Sequence, residues 1–397
     1  MMTKYFIGYK NYSHGVIIMN ESVTKGSNED YEEIIAFGNR VFNVDFPSLL
    51  PKLYVNHQES SIYHHLVKEG NAIKAMVGSF PLDLNVCGID LKVRGIGTVS
   101  VDKDSRGSGY MKVLMDNAVS EMRAEDYDFA VLSGQRQRYE YWDFTPCGVT
   151  INLNFNSSNI KHTKIATNDR YKFIKYDRSK DIDLAEAVNL HDSQLVHARR
   201  PKSAFVEISR SWNNNLIFIY KNDEFSGYLC ASDNYQNISE IVLQNPQEID
   251  KIFIAYMNNF NLEESHVVLY LHRSEEVMKL SSLCENYTIS SSANIYIINY
   301  EKVIKAFMEL KKTYSLLCDG TLVLNVENIG RYQIVVKNGE ISVQQTDMAY
   351  DLSLSHLDAS ALLFSQTAFI NASNDFTHPI VKAWFPLPLF FPNIDNV

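Results

Sequence analysis

The sequence lacks most of the features that would point away from a folded protein with reduced thiols. Its five cysteines, Cys87, Cys147, Cys230, Cys284 and Cys318, are odd in number, widely spaced and without a C-x-x-C pair. That excludes a disulfide framework and reads as reduced thiols. No block of Lys or Arg occurs, and the formal net charge is −10. Such a surface repels phosphate backbones, so nucleic acid is not an expected partner, whereas cationic small molecules would be attracted. No apolar run approaches the roughly 18 residues of a membrane span, so no membrane partner is expected. Residues Met1–Asn20 are broken by Lys4, Lys10, Asn11 and His14, with no continuous apolar stretch or small-residue cleavage site. They do not read as a signal peptide, and the expected location is the cytoplasm. His64-His65 and His191…His197 lack zinc spacing, so no metal is expected. The Arg199-Arg200 pair reads as a solvated face.

What is present is ordinary core-forming material: 45% apolar and 21% charged residues over 397 positions. At roughly 100–200 residues per domain, this supports two or three domains. The spacing predicts a helix over 30–43, with Ile34, Ile35 and Val41 on one side. A proline-containing loop follows over Asp45–Leu53. Strands are expected at Ala72–Phe80, Leu82–Val86, Leu91–Val101 and Phe129–Leu132. Asp102–Gly109 is a polar, glycine-containing turn before a helix carrying Tyr110, Val113, Leu114, Ala118 and Met122. Strands, turn, helix and strand in that order imply an α/β layer.

A second unit starts near Ser158, with helices expected at Ile182–Val196 and around Ile249–Phe260. Its strands are expected at Leu216–Tyr220, Tyr228–Ala231, His266–Leu271 and Ile295–Ile298. A third starts near Tyr300: a helical stripe of Val303, Phe307 and Leu310, three strands between Thr321 and Gln344, a tight turn at Asn338-Gly339, and a helix at Leu357–Leu363. The tail from Trp384 to Val397 stays apolar to its last residue. Chain ends are normally polar and frayed, so this one is expected to be buried.

One stretch carries chemistry. In Val99-Ser100-Val101-Asp102-Lys103-Asp104-Ser105-Arg106-Gly107-Ser108-Gly109-Tyr110-Met111-Lys112, a strand enters a glycine turn that opens a helix. Glycines let the backbone approach a ligand, and the helix's leading N–H groups and dipole suit a pyrophosphate. A short turn of this kind is more often only a turn. Further on comes Gly134-Gln135-Arg136-Gln137-Arg138-Tyr139-Glu140-Tyr141-Trp142-Asp143-Phe144, in which Tyr139 alone would pass for a packing aromatic.

Together, in this order, the two features resemble the GNAT superfamily of acetyltransferases. The R-G-x-G segment is similar to that family's pyrophosphate loop, R/Q-x-x-G-x-G/A, and Tyr139–Phe144 to its Y-x-x-x-G-F element. Met111 stands where a small residue is frequent, and Asp143 replaces a glycine. The whole layout resembles the Eis-like (enhanced intracellular survival) branch, in which the loop commonly ends in a larger apolar residue. The resemblance implies tandem GNAT-type mixed α/β sheets with flanking helices and a C-terminal α+β domain like sterol carrier proteins. The expected units are a catalytic domain over 1–157, a degenerate GNAT-like domain over 158–299 and the carrier-like domain over 300–397. It also implies a homo-oligomer, a hexamer in that branch.

By the same resemblance the donor is acetyl-CoA and the acceptor a primary amine, on a small molecule or a lysine side chain. Val99, Ser100 and Val101 would bond the pantetheine arm, and Gly107, Ser108, Gly109, Tyr110, Met111 and Lys112 would hold the pyrophosphate beside Arg106. Gly134 and Gln135 would line the thioester. Tyr139 would protonate the departing thiolate as general acid, and the α-carboxylate of Val397 would act as base, with Phe390, Phe391 and Ile394 anchoring the tail. A backbone N–H near Val101 would stabilise the oxyanion. Cys147 reads as core and not as an acyl carrier, so transfer is expected to be direct, in a ternary complex. Two alternatives stand beside this one: an acyltransferase for longer chains, as in N-myristoyltransferase-like tandem GNAT proteins, and a protein that binds acyl-CoA or lipid without transfer.

Overall fold

The computed structural model describes residues 23–55, 58–163, 165, 169–177, 181–366 and 379–397. The sequence reading of Met1–Asn20 falls outside them. Three sheets organise the described chain. The first is built in chain order from β1 (Thr24–Lys25), β2 (His64–Glu69), β3 (Ala72–Val86), β4 (Ile89–Val101), β5 (Phe129–Leu132) and β6 (Thr145–Cys147). Helices α1 (Tyr31–Phe42), α2 (Phe46–Leu49), α3 (Pro51–Tyr54), α4 (Tyr110–Ala124) and α5 (Arg136–Tyr139) attach to it. β7 (Thr150–Asn156) and β8 (Tyr171–Lys175) belong to the second sheet. The short β9 (Val196–Ala198) returns to pair with β3. β10 (Asn214–Lys221), β11 (Glu224–Ser232), β12 (Asn237–Leu243), β13 (Glu264–Tyr270) and β14 (Asn286–Ser290) complete the second sheet. β15 (Ala293–Ile297) goes back to the first.

The resulting orders are β1-β2-β3-β4-β5-β15-β6 and β14-β7-β13-β12-β11-β10-β8. Strand pairing therefore does not follow the order of the chain. β7 leaves residues 1–157 for the second sheet, and β15 leaves 158–299 to insert between β5 and β6. The third sheet, β16 (Gly320–Val326), β17 (Gly330–Lys337), β18 (Glu340–Gln345) and β19 (Leu352–Leu354), lies wholly within 300–397. Its hairpin turns at Asn338 and Gly339, both with positive φ (52° and 80°), as an Asn-Gly turn requires.

Several local expectations change. Asp45–Leu53 forms α2 and α3 and not a loop, because Pro47 and Pro51 fall in first helical turns, where a missing N–H costs nothing. Ala72–Val86 is one strand: the ladder with β4 runs through Pro81 opposite Arg94, since a proline removes only one donor. The helix expected to reach Val196 ends at Asp192.

One buried cluster joins the first sheet to the third unit and the tail. Leu91, Val93, Phe129, Val131 and Ile295 meet Val303 and Phe307 of helix Tyr300–Lys312, Leu322 and Ile334 of the third sheet, and Trp384, Leu389 and Phe390 of the tail. Ile96 looks the other way, into a cluster with Leu114, Met115 and Ala118 of α4. The sheet is thus covered by α4 on one face and by the C-terminal part of the chain on the other. Among the described residues, no helix is long and apolar enough to cross a membrane.

Candidate active site

The site begins with a strand that outruns its partner. β4 pairs with β5 in parallel from Val93↔Phe129 to Ile96↔Leu132, where β5 ends. β4 continues to Val101. Its pairing with β3 slips between Gly78↔Gly97 and Met76↔Ser100, and Thr98 sits at φ 50°. This is a β-bulge, which increases twist and turns the strand away. Among the described residues no strand pairs with β4 on its β5 side beyond Ile96. Val99 and Val101 are half-buried there, and the buried Ser100 hydroxyl donates to the Thr98 carbonyl at 2.9 Å. An extended ligand can add to such an edge as a further strand would.

The strand runs directly into the glycine turn. Asp102 accepts from the Asp104 N–H at 3.1 Å and starts a short 3-10 turn over Lys103–Ser105. Gly107 (φ 88°) and Gly109 (φ 79°) follow, the latter as N-cap of α4. A Cβ at either would meet no atom within 4 Å. Backbone conformation demands glycine here, and the space beside both is open. The first intrahelical bond runs from the Val113 N–H to the Gly109 carbonyl, so the helix's positive end faces this space. Arg106 and Ser108 are exposed, and Tyr110 and Met111 pack partly under the helix. Lys112 pairs with Asp116 at 2.7 Å and lies over the Tyr141 ring. An open cradle, a helix start and nearby cations fit the pyrophosphate of an acyl-CoA.

Beyond β5, Ser133, Gly134 and Gln135 lead into α5. Gly134 has φ 140°, and a Cβ there would lie 2.9 Å from the Tyr139 ring and 3.7 Å from its hydroxyl. The phenol therefore rests on Gly134. The Asn294 side chain, from β15, donates to the Gly134 carbonyl at 3.1 Å and fixes it. Tyr139 is 7% exposed, and burial raises its pKa above the usual tyrosine value, so it is a neutral donor at neutral pH. Asp143 is left-handed (φ 61°), the conformation that a glycine would supply more cheaply.

The tail comes to the same place. Val397 is 6% exposed. A Cβ at Gly97 would lie 2.9 Å from its carboxyl carbon, and one at Gly95 would lie 2.6 Å from its Cγ2. Residues two apart in a strand share a face, so Gly95 and Gly97 together form a trough for this end. Lys52 Nζ donates to the carbonyls of Ile394 (2.8 Å) and Asn396 (2.6 Å). The Trp212 indole N–H donates to the Asn396 carbonyl at 3.1 Å. The Asn396 side chain donates to Ser133 Oγ at 3.1 Å, one residue before the glycine that carries Tyr139. Phenol and carboxylate thus flank the mouth of the β4/β5 splay.

Arg200 corrects the sequence reading. Arg199 is exposed and pairs with Asp90 at 2.6 Å, but Arg200 is buried and forks onto two carboxylates. It donates to Asp395 at 2.8 and 2.7 Å and to Glu240 at 2.8 and 2.6 Å. Burial pushes the Glu240 carboxyl up, and the Arg200 guanidinium overrides that and holds it at about 2. Neighbouring residues of extended chain point opposite ways, which is why one arginine of the pair meets solvent and the other the core.

Of the other candidates, Cys147 is buried with Sγ 3.6 Å from the Ser360 carbonyl, and burial pushes its thiol far up, so it is no nucleophile. His64 and His65 are buried, and His191 is held between the Tyr228 hydroxyl and the Ala198 carbonyl. Among the described residues no group of three or more His, Cys, Asp or Glu could hold a metal. Sequence reasoning missed Gly95, Gly97, Lys52, Trp212 and Asp395. Only the Gly-x-Gly inside a strand offered a signal.

Residues 22–144 match the family model described as an acetyltransferase (GNAT) domain, which spans the splay, the glycine turn and Tyr139. The chain carries a GNAT acetyltransferase domain in that stretch. The fold is similar to that of a GCN5-related N-acetyltransferase from Anabaena variabilis, with TM-score 0.66, 16% identity, and 95% of this chain and 100% of that one covered. It is also similar to Eis1 from Mycobacterium abscessus (TM-score 0.63, 11% identity, 94% and 98% covered). A GCN5-related N-acetyltransferase from Kribbella flavida is a third (TM-score 0.63, 14% identity, 86% and 89% covered). At these identities the likeness is one of fold. No curated protein matches the chain.

Lys52 yields a prediction. Burial lowers its ammonium to about 7. The folded value lies below the unfolded one, so between about pH 7 and pH 10 the unfolded chain binds more protons. Stability is expected to rise with pH across that window, and Lys52→Met is expected to flatten the rise. Denaturant midpoints of both proteins at several pH values check this; parallel curves would contradict it.

Proposed function

We propose that this chain is an acetyl-CoA-dependent N-acetyltransferase that transfers acetyl directly to a primary amine in a ternary complex. The observation that carries this reading is the placement of Tyr139, against Gly134, and of the Val397 carboxylate, against Gly97, on the two sides of the mouth of the β4/β5 splay. The open edge of β4 leads into a glycine turn fit for a pyrophosphate. Gly107–Lys112 would hold the pyrophosphate with Arg106 alongside. The backbone of Val99, Ser100 and Val101 would bond the pantetheine arm, and Gly134 and Gln135 would border the thioester.

The acceptor amine, with a pKa near 10, arrives protonated. The Val397 carboxylate orients it and takes its proton, directly or through water. The amine attacks the thioester carbonyl, and the oxyanion takes a backbone N–H from the unpaired edge of β4, near Val101. On collapse the carbon–sulfur bond breaks, and Tyr139 gives its proton to the thiolate. The burial of Cys147 supports direct transfer without an acyl-enzyme. The acceptor is a small-molecule amine or a lysine side chain, suited to the net charge of −10.

We read the chain as three units over 1–157, 158–299 and 300–397, with β7 and β15 exchanged between the first two. The third is read as the sterol carrier-like unit, and the assembly as a homo-oligomer.

Thiol release from acetyl-CoA with a panel of amines tests the activity. Tyr139→Phe, and separately residues added after Val397, are each expected to lower turnover by roughly 100-fold or more with coenzyme A affinity kept. Full turnover in the extended chain would remove Val397 from the mechanism. Binding of coenzyme A without acetylation of any amine would favour a binding protein.

A further inference from the structure

The second sheet repeats the geometry that opens the first. β12 and β13 are parallel and are connected through helix Ile249–Asn259, as β4 and β5 are through α4. Their pairing is confined to Asn237↔His266 and Ile238↔Val267. Both strands then run on, to Leu243 and Tyr270, and a second V opens between them. It is the counterpart of the splay proposed to take acyl-CoA in the first sheet.

This V is filled by the chain's own tail. A cavity of about 50 Å³ remains where Glu240 of β12 and Val268 and Tyr270 of β13 face Phe390, Pro392 and Ile394. The Phe390 ring stacks on Tyr270 with centroids 3.8 Å apart and planes 16° from parallel. Asn393 lines the same cavity beside Tyr270. Glu240, on the open part of β12, shares the Arg200 guanidinium with Asp395. Each contact comes from the splay or from the arginine bound to it.

We propose that the splay of the second sheet is a docking slot for residues 390–395, and that Tyr270, Glu240, Arg200 and Asp395 are positioning residues that set where the Val397 carboxylate lies. The proposal rests on the reading of that carboxylate as the base. Asp395 is two residues from Val397, a reach of at most about 7 Å, so displacement at the clamp passes to the carboxylate. A misplacement of about 1 Å at a reacting group costs on the order of 100-fold in rate. The second sheet thereby serves the first, because its splay holds the end of the chain that reaches the neighbouring site.

The test uses full-length Asp395→Asn, which keeps the Arg200–Glu240 pair and the side-chain shape, and Tyr270→Leu, which stays apolar but removes the ring. Both are compared with Asp395→Glu, which keeps the charge. Hydrogen exchange of the amides over 390–397 reads docking; kcat, and KM for acetyl-CoA, read positioning. Asp395→Asn and Tyr270→Leu are expected to speed exchange in the tail alone and to lower kcat about 10- to 100-fold, with KM for acetyl-CoA unchanged. Asp395→Glu is expected to restore part of both. Unchanged tail protection in both variants would overturn the slot, even if kcat fell, and would leave the base standing. A loosened tail with unchanged kcat would overturn the positioning role and the base assigned to Val397 together.

Discussion

The architecture depends on one mismatch in length: β4 runs on after β5 has stopped. The contacts proposed for the pantetheine arm and the oxyanion use the backbone edge that this exposes. An unpaired edge inside a protein would cost several hydrogen bonds unless water or a ligand meets it. Its position beside a glycine turn and a helix N-terminus is what suggests an extended, anionic partner there. Past the bulge at Thr98, β4 keeps its pairing with β3 while its β5 side stays open.

The opposite face of the same strand receives the carboxyl end of the chain. Gly95 and Gly97 leave no side chain between β4 and Val397, so a group hundreds of residues away in sequence lies against the strand itself. Two kinds of force hold it. Phe390, Phe391 and Ile394 are buried, and their transfer from water supplies attraction without direction. Arg200, Lys52 and Trp212 supply direction through hydrogen bonds to specific tail atoms, and the tail's Asn396 side chain donates to Ser133 Oγ. A buried ion cluster such as Arg200–Glu240–Asp395 adds little net stability against its desolvation, but breaking one member leaves a charge unmatched. It thus favours one geometry over its neighbours more than it favours folding.

What could be read from sequence was what local chemistry determines. The glycine turn, Tyr139 and α4 stand where their spacing put them, because positive φ and helical periodicity act within a few residues. The Asn338-Gly339 hairpin and the apolar tail were legible for the same reason. The exchange of β7 and β15 between sheets was not, because a strand's pattern records that one face is buried and not which strand lies beside it. Arg200 looked like surface because nothing near it in sequence announces Glu240 and Asp395. Gly95 and Gly97 looked like ordinary strand glycines; their role appears only once the tail is in place.

A crystal structure of the protein with coenzyme A and an amine bound is the most direct measurement. The account predicts the pyrophosphate at Gly107–Lys112, the pantetheine along Val99–Val101, and the sulfur within hydrogen-bond reach of the Tyr139 hydroxyl, with the amine beside the Val397 carboxylate. Coenzyme A bound elsewhere, or a sulfur remote from that phenol, would contradict it.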